Sequence, residues 1–467
     1  MRMLSILALS LLLPCTASVA RDAPLAVPPS GVLGVSDAEL TPDYWVARAP
    51  DAEDVLLSSA AIAAQNARVL ARDDSMHDLA ALPRQLPRAT VRGWIEALSR
   101  RPSRTLYDSK GNPIDAATLD ALMASLALDA IATTQATRYG LIVHRAALRS
   151  FPTDLRVFRE PGDTDIDRFQ ESGIFPGTPV VIAHTSRDGQ WLFVVSPRYA
   201  AWIKHDAVAA GTRELVLGYG QRSPYRIITG AQLRTVFTPE QPSLSQRELD
   251  MGVRIPLARG LDPAQPVNGQ TAYAAWTLDL PLRQADGSLA LAPALLQKNT
   301  DSAADYLPLN RANIIRQAFK FLGERYGWGH DYNGRDCSGF VSDVYRSMGV
   351  VMPRNTSDQA VSPAFEHRAF TASSSKAERL AAVARLDIGD LVYIPGHVLM
   401  VIGTAHGRHY MIHDVGGMSY VLPDGSRHHV KLNSVAVTPL EPMMYNQTES
   451  YIDRMTSIVH VHGRATP

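Results

Sequence analysis

This sequence of 467 residues has no excess of either positive or negative charge. Lys plus Arg and Asp plus Glu each total 46, so the formal net charge is zero. A balanced chain gives no sign of a polyanionic partner, and we predict that it does not bind nucleic acid. Apolar residues make up 46% and charged residues 20%, which is typical of an ordinary globular protein.

Long apolar runs are also missing after the N-terminus, so we predict no transmembrane span. Residues 4–14 are apolar but too few to cross a bilayer as a helix, and a basic start precedes them. Residues 18–20 (Ser-Val-Ala) fit a small-x-small cleavage pattern. We therefore expect residues 1–20 to be a signal peptide and the mature protein to be exported, in the periplasm. A lipid anchor at Cys15 is the less favoured alternative, because Pro14 stands where a small residue should precede the lipidated cysteine.

Cysteine is nearly absent, since the chain contains only Cys15 and Cys337. Removal of a signal peptide would leave Cys337 alone, so the mature chain could form no internal disulfide. A lone thiol is unusual in an oxidising compartment, where it is either a partner for another molecule or a reactive group. Core packing is the ordinary alternative, because cysteine also behaves as a small hydrophobe.

The mature chain divides into four predicted regions. Residues 21–136 have helix-forming composition, with helices expected over 56–71, 90–99 and 116–132. Residues 137–210 and 211–285 contain short β-branched or aromatic runs separated by turn residues, and each region is expected to form a small β-barrel. Strands are predicted at 141–143, 155–158, 180–183, 191–195 and 201–203, and then at 215–217, 225–228, 233–237, 253–257 and 274–278, with Pro256 marking a sheet edge. Residues 283–309 are expected to be a connector.

The fourth region, residues 305–467, predicts an α+β domain with an antiparallel sheet. A helix capped by Asn310 or Asn313 comes first, and a second helix begins near Cys337. Strands are expected at 391–394, 397–402 and 410–413, with a turn at residues 395–396.

Cys337 lies where a glycine-rich loop gives way to a helix. The positive end of a helix dipole and unpaired backbone N–H groups favour thiolate, so we expect a reactive sulfur. A nucleophile of this kind needs a base and a group that orients the base. His397 opens a predicted strand and is the expected base, and His413 on a neighbouring strand is the expected orienting residue. The backbone N–H of Cys337 is available to hold an oxyanion.

A set of motifs in this region resembles the NlpC/P60 cysteine peptidases of bacterial cell walls. They are Tyr-Gly-Trp-Gly at 326–329, Asp-Cys-Ser-Gly-Phe at 336–340, Pro353-Arg354 with Gln359, Gly-Asp-Leu-Val at 389–392, Gly-His-Val at 396–398, and His413. The resemblance covers about residues 305–445. Upstream, residues 151–153, 169–170, 188–191 and 201–203 resemble the multi-domain branch with two bacterial SH3-like barrels, although Ala201 stands where that branch often has Gly.

The resemblance implies a papain-like fold and hydrolysis of the γ-D-glutamyl bond to a diamino acid in peptidoglycan stem peptides, with no cofactor. By position, Cys337 matches the nucleophile, His397 the base and His413 the orienting residue. Asp336 and Ser338 match residues that recognise a free N-terminal L-Ala, and Tyr326 matches a tyrosine lining the site. The related enzymes act on released muropeptides, because a barrel closes the cleft against longer stems.

Alternatives remain at this point. Asp336 also suits a helix cap, and both histidines and Tyr326 suit ordinary packing. The cut could instead fall between muramic acid and L-Ala, or the chain could be a non-catalytic wall-binding protein. Histidines 406, 409, 413, 428 and 429 lie close in sequence, but no metal-ligand motif accompanies them, so we expect no catalytic metal.

Overall fold

A computed structural model describes residues 31–422 and 424–463. The predicted signal peptide and Cys15 lie outside this part of the chain. Among the helices of the described residues, none is long and apolar enough to cross a membrane.

The first region, up to residue 136, is mainly helical, as predicted. Its elements are α1 (Pro42–Val46), α2 (Ser59–Arg72), α3 (Arg88–Leu98), α4 (Ala116–Ser125), a 3-10 turn (Leu128–Ala130) and the paired strands β1 (Gln85–Pro87) and β2 (Thr134–Ala136). Helix α4 ends earlier than the predicted residue 132, because Ala127 has a left-handed backbone with φ of 48°. Trp45 of α1 packs on Tyr410 of the last region, with ring centroids 5.0 Å apart, so this region is fastened to the C-terminal sheet.

The second region forms one antiparallel sheet around a core that includes Phe193 and Trp202. Its strands are β3 (Arg138–Ile142), β4 (Ala146–Arg149), β5 (Gln170–Ile174), β6 (Pro179–Thr185), β7 (Trp191–Val195), β8 (Ala200–Lys204) and β9 (Val208–Gly211), with a 3-10 turn at His205–Ala207. The order is β5-β4-β8-β7-β6-β3-β9, so the described strands form an open sheet rather than a closed barrel. Residues 155–158, predicted as a strand, form only an isolated bridge between Phe158 and Tyr107.

The third region departs further from the expected barrel. It contains α5 (Arg213–Tyr219), β10 (Tyr225–Ile228), β11 (Gln232–Arg234), a 3-10 turn (Pro242–Leu244), β12 (Glu248–Asp250), β13 (Arg254–Pro256), β14 (Ala275–Arg283), β15 (Leu289–Gln297) and β16 (Ser302–Ala303). Within the described chain these strands form three separate sheets, ordered β13-β10-β16, β11-β12 and β14-β15. Pro256 does lie on an edge strand, as predicted.

Two sequence predictions in the third region are wrong. Residues 215–217 belong to α5 rather than to a strand, because the side chain of Thr212 caps a helix by accepting a bond from the N–H of Leu215. Residues 289–297, expected to be part of a connector, form the nine-residue strand β15 paired along its length with β14. Pairing with the preceding strand in a hairpin, rather than its own composition, stabilises this element.

The fourth region is α+β with an antiparallel sheet, as predicted. Its elements are α6 (Arg311–Phe319), a 3-10 segment (Trp328–Asn333), α7 (Cys337–Arg346), α8 (Thr356–Gln359), β17 (Glu366–Ala369), α9 (Lys376–Val383), β18 (Leu391–Ile394), β19 (His397–Ala405), β20 (Arg408–Val421), β21 (Arg427–Pro439) and β22 (Ser457–His460). The sheet order is β17-β22-β18-β19-β20-β21. Asn310 caps α6 by accepting a bond from the N–H of Asn313. Pairing of β19 with β20 brings His397 and His413 onto neighbouring strands.

Candidate active site

Cys337 is the first residue of α7, and its side chain is 5% exposed. The preceding residue, Asp336, is the cap of the helix, and its Oδ1 accepts a 2.8 Å bond from the N–H of Gly339. The first N–H groups of a helix have no intrahelical acceptor, so the N–H groups of Cys337 and Ser338 point out of the helix start beside the sulfur. This arrangement offers hydrogen-bond donors to a negative charge that forms there.

The sulfur of Cys337 meets the start of β19. The backbone N–H of Val398 donates a hydrogen bond to this sulfur. Val398 directly follows His397, so the sulfur lies beside the stretch of backbone that carries His397. Nε2 of His397 is 2.7 Å from Nδ1 of His413. The two predicted histidines therefore form a pair at the strand that contacts Cys337, and the roles of the three residues stay a prediction.

The resting triad is uncharged. Burial and the charges of Asp336 and Asp414 together raise the pKa of the Cys337 thiol to about 12, while the Val398 N–H and the charge of Arg354 act in the opposite direction. Burial also lowers the pKa of His397 to about 4 and that of His413 well below its ordinary value. The direction of the Cys337 shift is opposite to the one expected from a helix start, because burial and nearby carboxylates disfavour a negative charge on the sulfur. A neutral imidazole is the form of His397 that can accept the thiol proton.

Asp336 does more than cap the helix, because it also forms a buried ion pair. Nη2 of Arg354 lies 2.7 Å from Oδ2 of Asp336, and Nη1 donates to Oδ1 at 3.2 Å. Burial alone would raise the pKa of Asp336, but the guanidinium and the N–H groups of Gly329 and Gly339 hold it below its ordinary value. Ser338 joins the cluster, since its hydroxyl accepts from Arg354 at 2.8 Å and donates to Asp336 at 3.2 Å. Asp336 is thus both the cap of α7 and the carboxylate of a buried ion pair.

The second region contributes residues to the same neighbourhood. Ser172 of β5 accepts a 2.6 Å bond from Nε of Arg354. Next to it, the half-buried carboxyl of Glu171 accepts a 2.6 Å bond from the hydroxyl of Tyr199. Burial raises the pKa of Glu171, although the positive charge of Arg354 opposes this. Within the described chain Glu171 has no salt bridge, so its charge is less compensated than that of Asp336.

Tyr326 lies on the other side of the sulfur. Burial raises the pKa of its hydroxyl, and the charges of Cys337 and Asp336 act in the same direction. Its backbone N–H donates to the carbonyl of Asn433 on β21, which holds the segment before Cys337 along the sheet. The predicted position of Tyr326 at the site agrees with these contacts, while its role stays a prediction.

The loop of residues 328–333 connects the site to the second region. Nε1 of Trp328 donates to the carbonyl of Gln170 at 2.9 Å, and the side chain of Gln170 donates to the carbonyl of Gly329 at 2.7 Å. His330 is buried with a left-handed backbone, φ of 64°. A methyl group on Gly339 would come within 2.5 Å of Cε1 of His330, so α7 requires glycine there.

Sequence reasoning missed several of these residues. Glu171 and Tyr199 carry no local motif, and only the packing of β5 and β8 against the loop brings them near Arg354. Arg354 was noted as part of a motif without a role, although its position two residues after a buried Met352 hinted at burial. Thr438, whose hydroxyl is 2.8 Å from Nε2 of His413, was also missed, because β21 was not predicted.

The other clustered histidines have separate partners. His406 contacts Glu39 at 3.2 Å, and His409 contacts Glu441 at 2.7 Å. His429 bonds Ser419 at 3.0 Å, and His428 packs on the ring of Tyr420. Of the five histidines, His413 alone belongs to the site around Cys337.

Comparison with known proteins identifies two domains. Residues 323–441 match the model of the NlpC/P60 family, and residues 156–204 match that of the SH3 domain of SH3b1 type. Both matches confirm the resemblances that the motifs indicated. The third region, expected as a second SH3-like barrel, lies outside the two matched segments.

One solved structure supports the same fold, and two further proteins are similar to parts of the chain. The structure of an NlpC/P60 endopeptidase from Photobacterium damselae subsp. piscicida superposes with a TM-score of 0.70 at 16% identity, covering 88% of this chain and 95% of that one. An NlpC/P60 family protein from Bacillus cereus ATCC 10987 has 20% identity and a TM-score of 0.47, covering 70% of this chain and 100% of that one. Dipeptidyl-peptidase 6 of Lysinibacillus sphaericus is 30% identical over 94 residues, which is 20% of this chain and 30% of that protein.

Proposed function

We propose that this chain, which carries an NlpC/P60 domain behind an SH3b-type domain, is a cysteine endopeptidase of peptidoglycan stem peptides. It hydrolyses the bond between γ-D-Glu and the diamino acid, acting on fragments with a free N-terminal L-Ala, and it needs no cofactor. The observation that supports the proposal is the hydrogen-bonded pair of His397 and His413 on the strands next to Cys337, whose sulfur, on the first turn of a helix, accepts from the N–H of Val398. The names of the similar proteins, which include an endopeptidase, agree with this proposal.

The proposed reaction has two steps. In the first, Nδ1 of His397 takes the thiol proton while the sulfur of Cys337 attacks the γ-carbonyl carbon of D-Glu. The oxyanion is held by N–H groups at the start of α7, and the imidazolium returns its proton to the departing amine of the diamino acid. In the second step, His397 takes a proton from water, hydroxide attacks the thioester, and the sulfur leaves and regains its proton.

Recognition of a free amine is proposed to depend on the carboxylates near the sulfur. Asp336 supplies a charge that Arg354 largely neutralises. Glu171 accepts a hydrogen bond from Tyr199 and has no salt bridge among the described residues, while Ser150 and the charges of Arg354 and Arg149 also favour its charged form. An ammonium group would supply the direct ionic partner. We therefore propose that Glu171 contributes most of the attraction, with Asp336, Ser338 and Tyr326 shaping the pocket. This extends the sequence prediction, which named only the last three.

The experiment is mass spectrometry of digests of defined stem peptides, each prepared with a free and with an acetylated L-Ala amine. We expect cleavage after γ-D-Glu for the free amine, at least tenfold slower cleavage for the acetylated peptide, and none with Cys337→Ala. The variant Glu171→Gln should lose most of the preference for the free amine, because the neutral amide keeps the shape but not the charge.

Other outcomes assign other functions. Release of an intact L-Ala peptide from muramic acid would identify an amidase instead. If protein with a folded circular dichroism spectrum cleaves no fragment, the chain is a wall-binding module.

We also propose that the protein is exported to the periplasm, which the pattern of residues 1–20 supports. The N-terminus of protein recovered from a periplasmic extract is the measurement. An N-terminus at or near residue 21 is expected, whereas full-length protein confined to the cytoplasmic fraction would contradict this proposal.

A further inference from the structure

The hydrogen-bond chain behind the triad continues past His413. Nε2 of His413 is 2.8 Å from the hydroxyl oxygen of Thr438, and this hydroxyl is 3.3 Å from the thioether sulfur of Met443. His413 and Thr438 are both 0% exposed, as is Met443, so water does not compete for these contacts. In the described residues the hydroxyl has no other hydrogen-bond partner. The chain of contacts therefore runs from Met443 to His397 without a branch.

Met443, the last residue in this series of hydrogen bonds, determines which atoms donate and which accept. A thioether has no proton, so Thr438 must donate to Met443. The hydroxyl has one proton, so in its contact with His413 it accepts, and Nε2 of His413 carries hydrogen. Nδ1 of a neutral His413 is then a lone pair, which accepts the Nε2 hydrogen of His397. Nδ1 of His397, the nitrogen that does not contact His413, is left unprotonated.

We propose that Thr438, oriented by Met443, is a positioning residue that fixes the tautomer of both histidines and so keeps the basic nitrogen of His397 facing the thiol. The inference rests on the proposed cysteine peptidase function. It adds a member to the triad rather than restating it, since Thr438 touches neither the substrate nor the sulfur. The low pKa values of both rings agree with it, because the argument requires neutral imidazoles.

Two substitutions separate the two contacts. Thr438→Val keeps the shape and removes the hydroxyl, so Nε2 of His413 loses its acceptor. Met443→Leu keeps the hydroxyl but removes its acceptor, so the hydroxyl is free to turn its proton toward His413. That reversal would place hydrogen on Nδ1 of both histidines, which leaves His397 unable to accept the thiol proton.

The first measurement needs no substrate. In protein labelled with 15N-histidine, imidazole nitrogen shifts report the tautomer directly. We expect the Nε2–H form for both His397 and His413 in the wild type, a mixture in Thr438→Val, and a shift toward Nδ1–H in Met443→Leu. Thr438→Ser should restore the wild-type spectrum. A wild-type spectrum with Nδ1–H at either ring, or one unchanged by Thr438→Val, would overturn the proposal.

The second measurement is turnover on whichever fragment the wild type cleaves. Thr438→Val should lower kcat by about 10- to 100-fold with KM unchanged, a loss no larger than the 10²–10⁴-fold that a general base contributes, because the base is misoriented in part of the molecules and not removed. Ser457→Ala and Met455→Leu are matched controls, because they alter a buried hydroxyl and a buried thioether elsewhere, and their kcat should stay at the wild-type value. If the wild type cleaves nothing, the proposed function fails, while the tautomer result still tests the positioning role of Thr438. A normal kcat in Thr438→Val would contradict that positioning role and leave the proposed function standing.

Discussion

Burial away from water sets the resting protonation states of Cys337, His397 and His413. Cys337 keeps its proton because burial raises its pKa to about 12, and His397 stays neutral because burial lowers its pKa to about 4. A separated pair of neutral groups is cheaper to bury than an ion pair. In the proposed reaction, the charge therefore forms as the sulfur attacks the substrate carbonyl.

A pH profile tests this account. Because protonated His397 accepts no proton, kcat/KM should hold from neutral pH down to about pH 4 and fall about tenfold per unit below that. The free energy of unfolding should also fall at low pH. His397 and His413 have higher pKa values in the unfolded chain than in the folded protein, so their contribution to stability is complete above pH 6.5 and is lost as pH falls toward 4. Circular dichroism at each pH separates unfolding from titration. A fall in kcat/KM centred near pH 6.5 in folded protein would contradict the lowered pKa.

At the scale of single elements, α7 is the one whose start carries most of the chemistry. Asp336 caps it, and the guanidinium of Arg354 neutralises the cap. Gly339 lets it pack against His330. The helix is thus held at its first turn by a cap, a buried ion pair and a close contact, which fixes the sulfur in place.

The stability of this helix start is measurable with Asp336→Ala. Loss of the cap and of the partner of a buried arginine should reduce the free energy of unfolding by about 3–5 kcal/mol. Ser58→Ala, which removes the cap of α2 without an ion pair, is the matched control and should cost about 1 kcal/mol. Urea unfolding followed by circular dichroism gives both values. Equal losses in the two variants would mean that the ion pair with Arg354 contributes nothing.

What could be predicted at this scale depends on how local the signal is. The cap of α6 at Asn310, the helix at Cys337 and the strand opening at His397 follow from short motifs, and all were predicted. Strand β21 was not, because its first half is mostly polar, and three of these residues, Arg427, His429 and Lys431, are exposed. Thr438 was missed along with it. It meets His413 only because β21 pairs with β20, and the sequence around Thr438 carries no signal of that contact.

At the scale of the whole molecule, Arg335 joins the third region to the fourth. Its side chain is 0% exposed and pairs with Asp250 of β12, with Asp343 of α7 and with Glu324. No local motif indicates these pairs, since the partners lie between 8 and 85 residues away. One buried cation thus pairs with three carboxylates, two of which also pair with Arg145 or Arg346.

Arg335→Met should therefore destabilise the protein by about 3–5 kcal/mol, because it removes the buried cation that Asp250, Asp343 and Glu324 share, although Arg145 still pairs with Asp250 and Arg346 with Asp343. The matched control is Arg92→Met, which removes an exposed pair with Glu96 and should change stability by less than about 1 kcal/mol. Urea midpoints at constant pH give the comparison. A change for Arg335→Met as small as that of the control would show that solvent, rather than Arg335, screens these acids.

The contact of Arg354 with both Asp336 and Ser172 has a consequence for how such proteins diversify. Glu171 and Tyr199 are inherited with the SH3-type module, whereas the sulfur and both imidazoles are inherited with the other. Under the proposed function, a lineage that exchanged or remodelled only the SH3-type module would change its substrate preference and keep its catalytic residues. Selection on substrate preference and selection on catalysis can then proceed at different rates in the same gene.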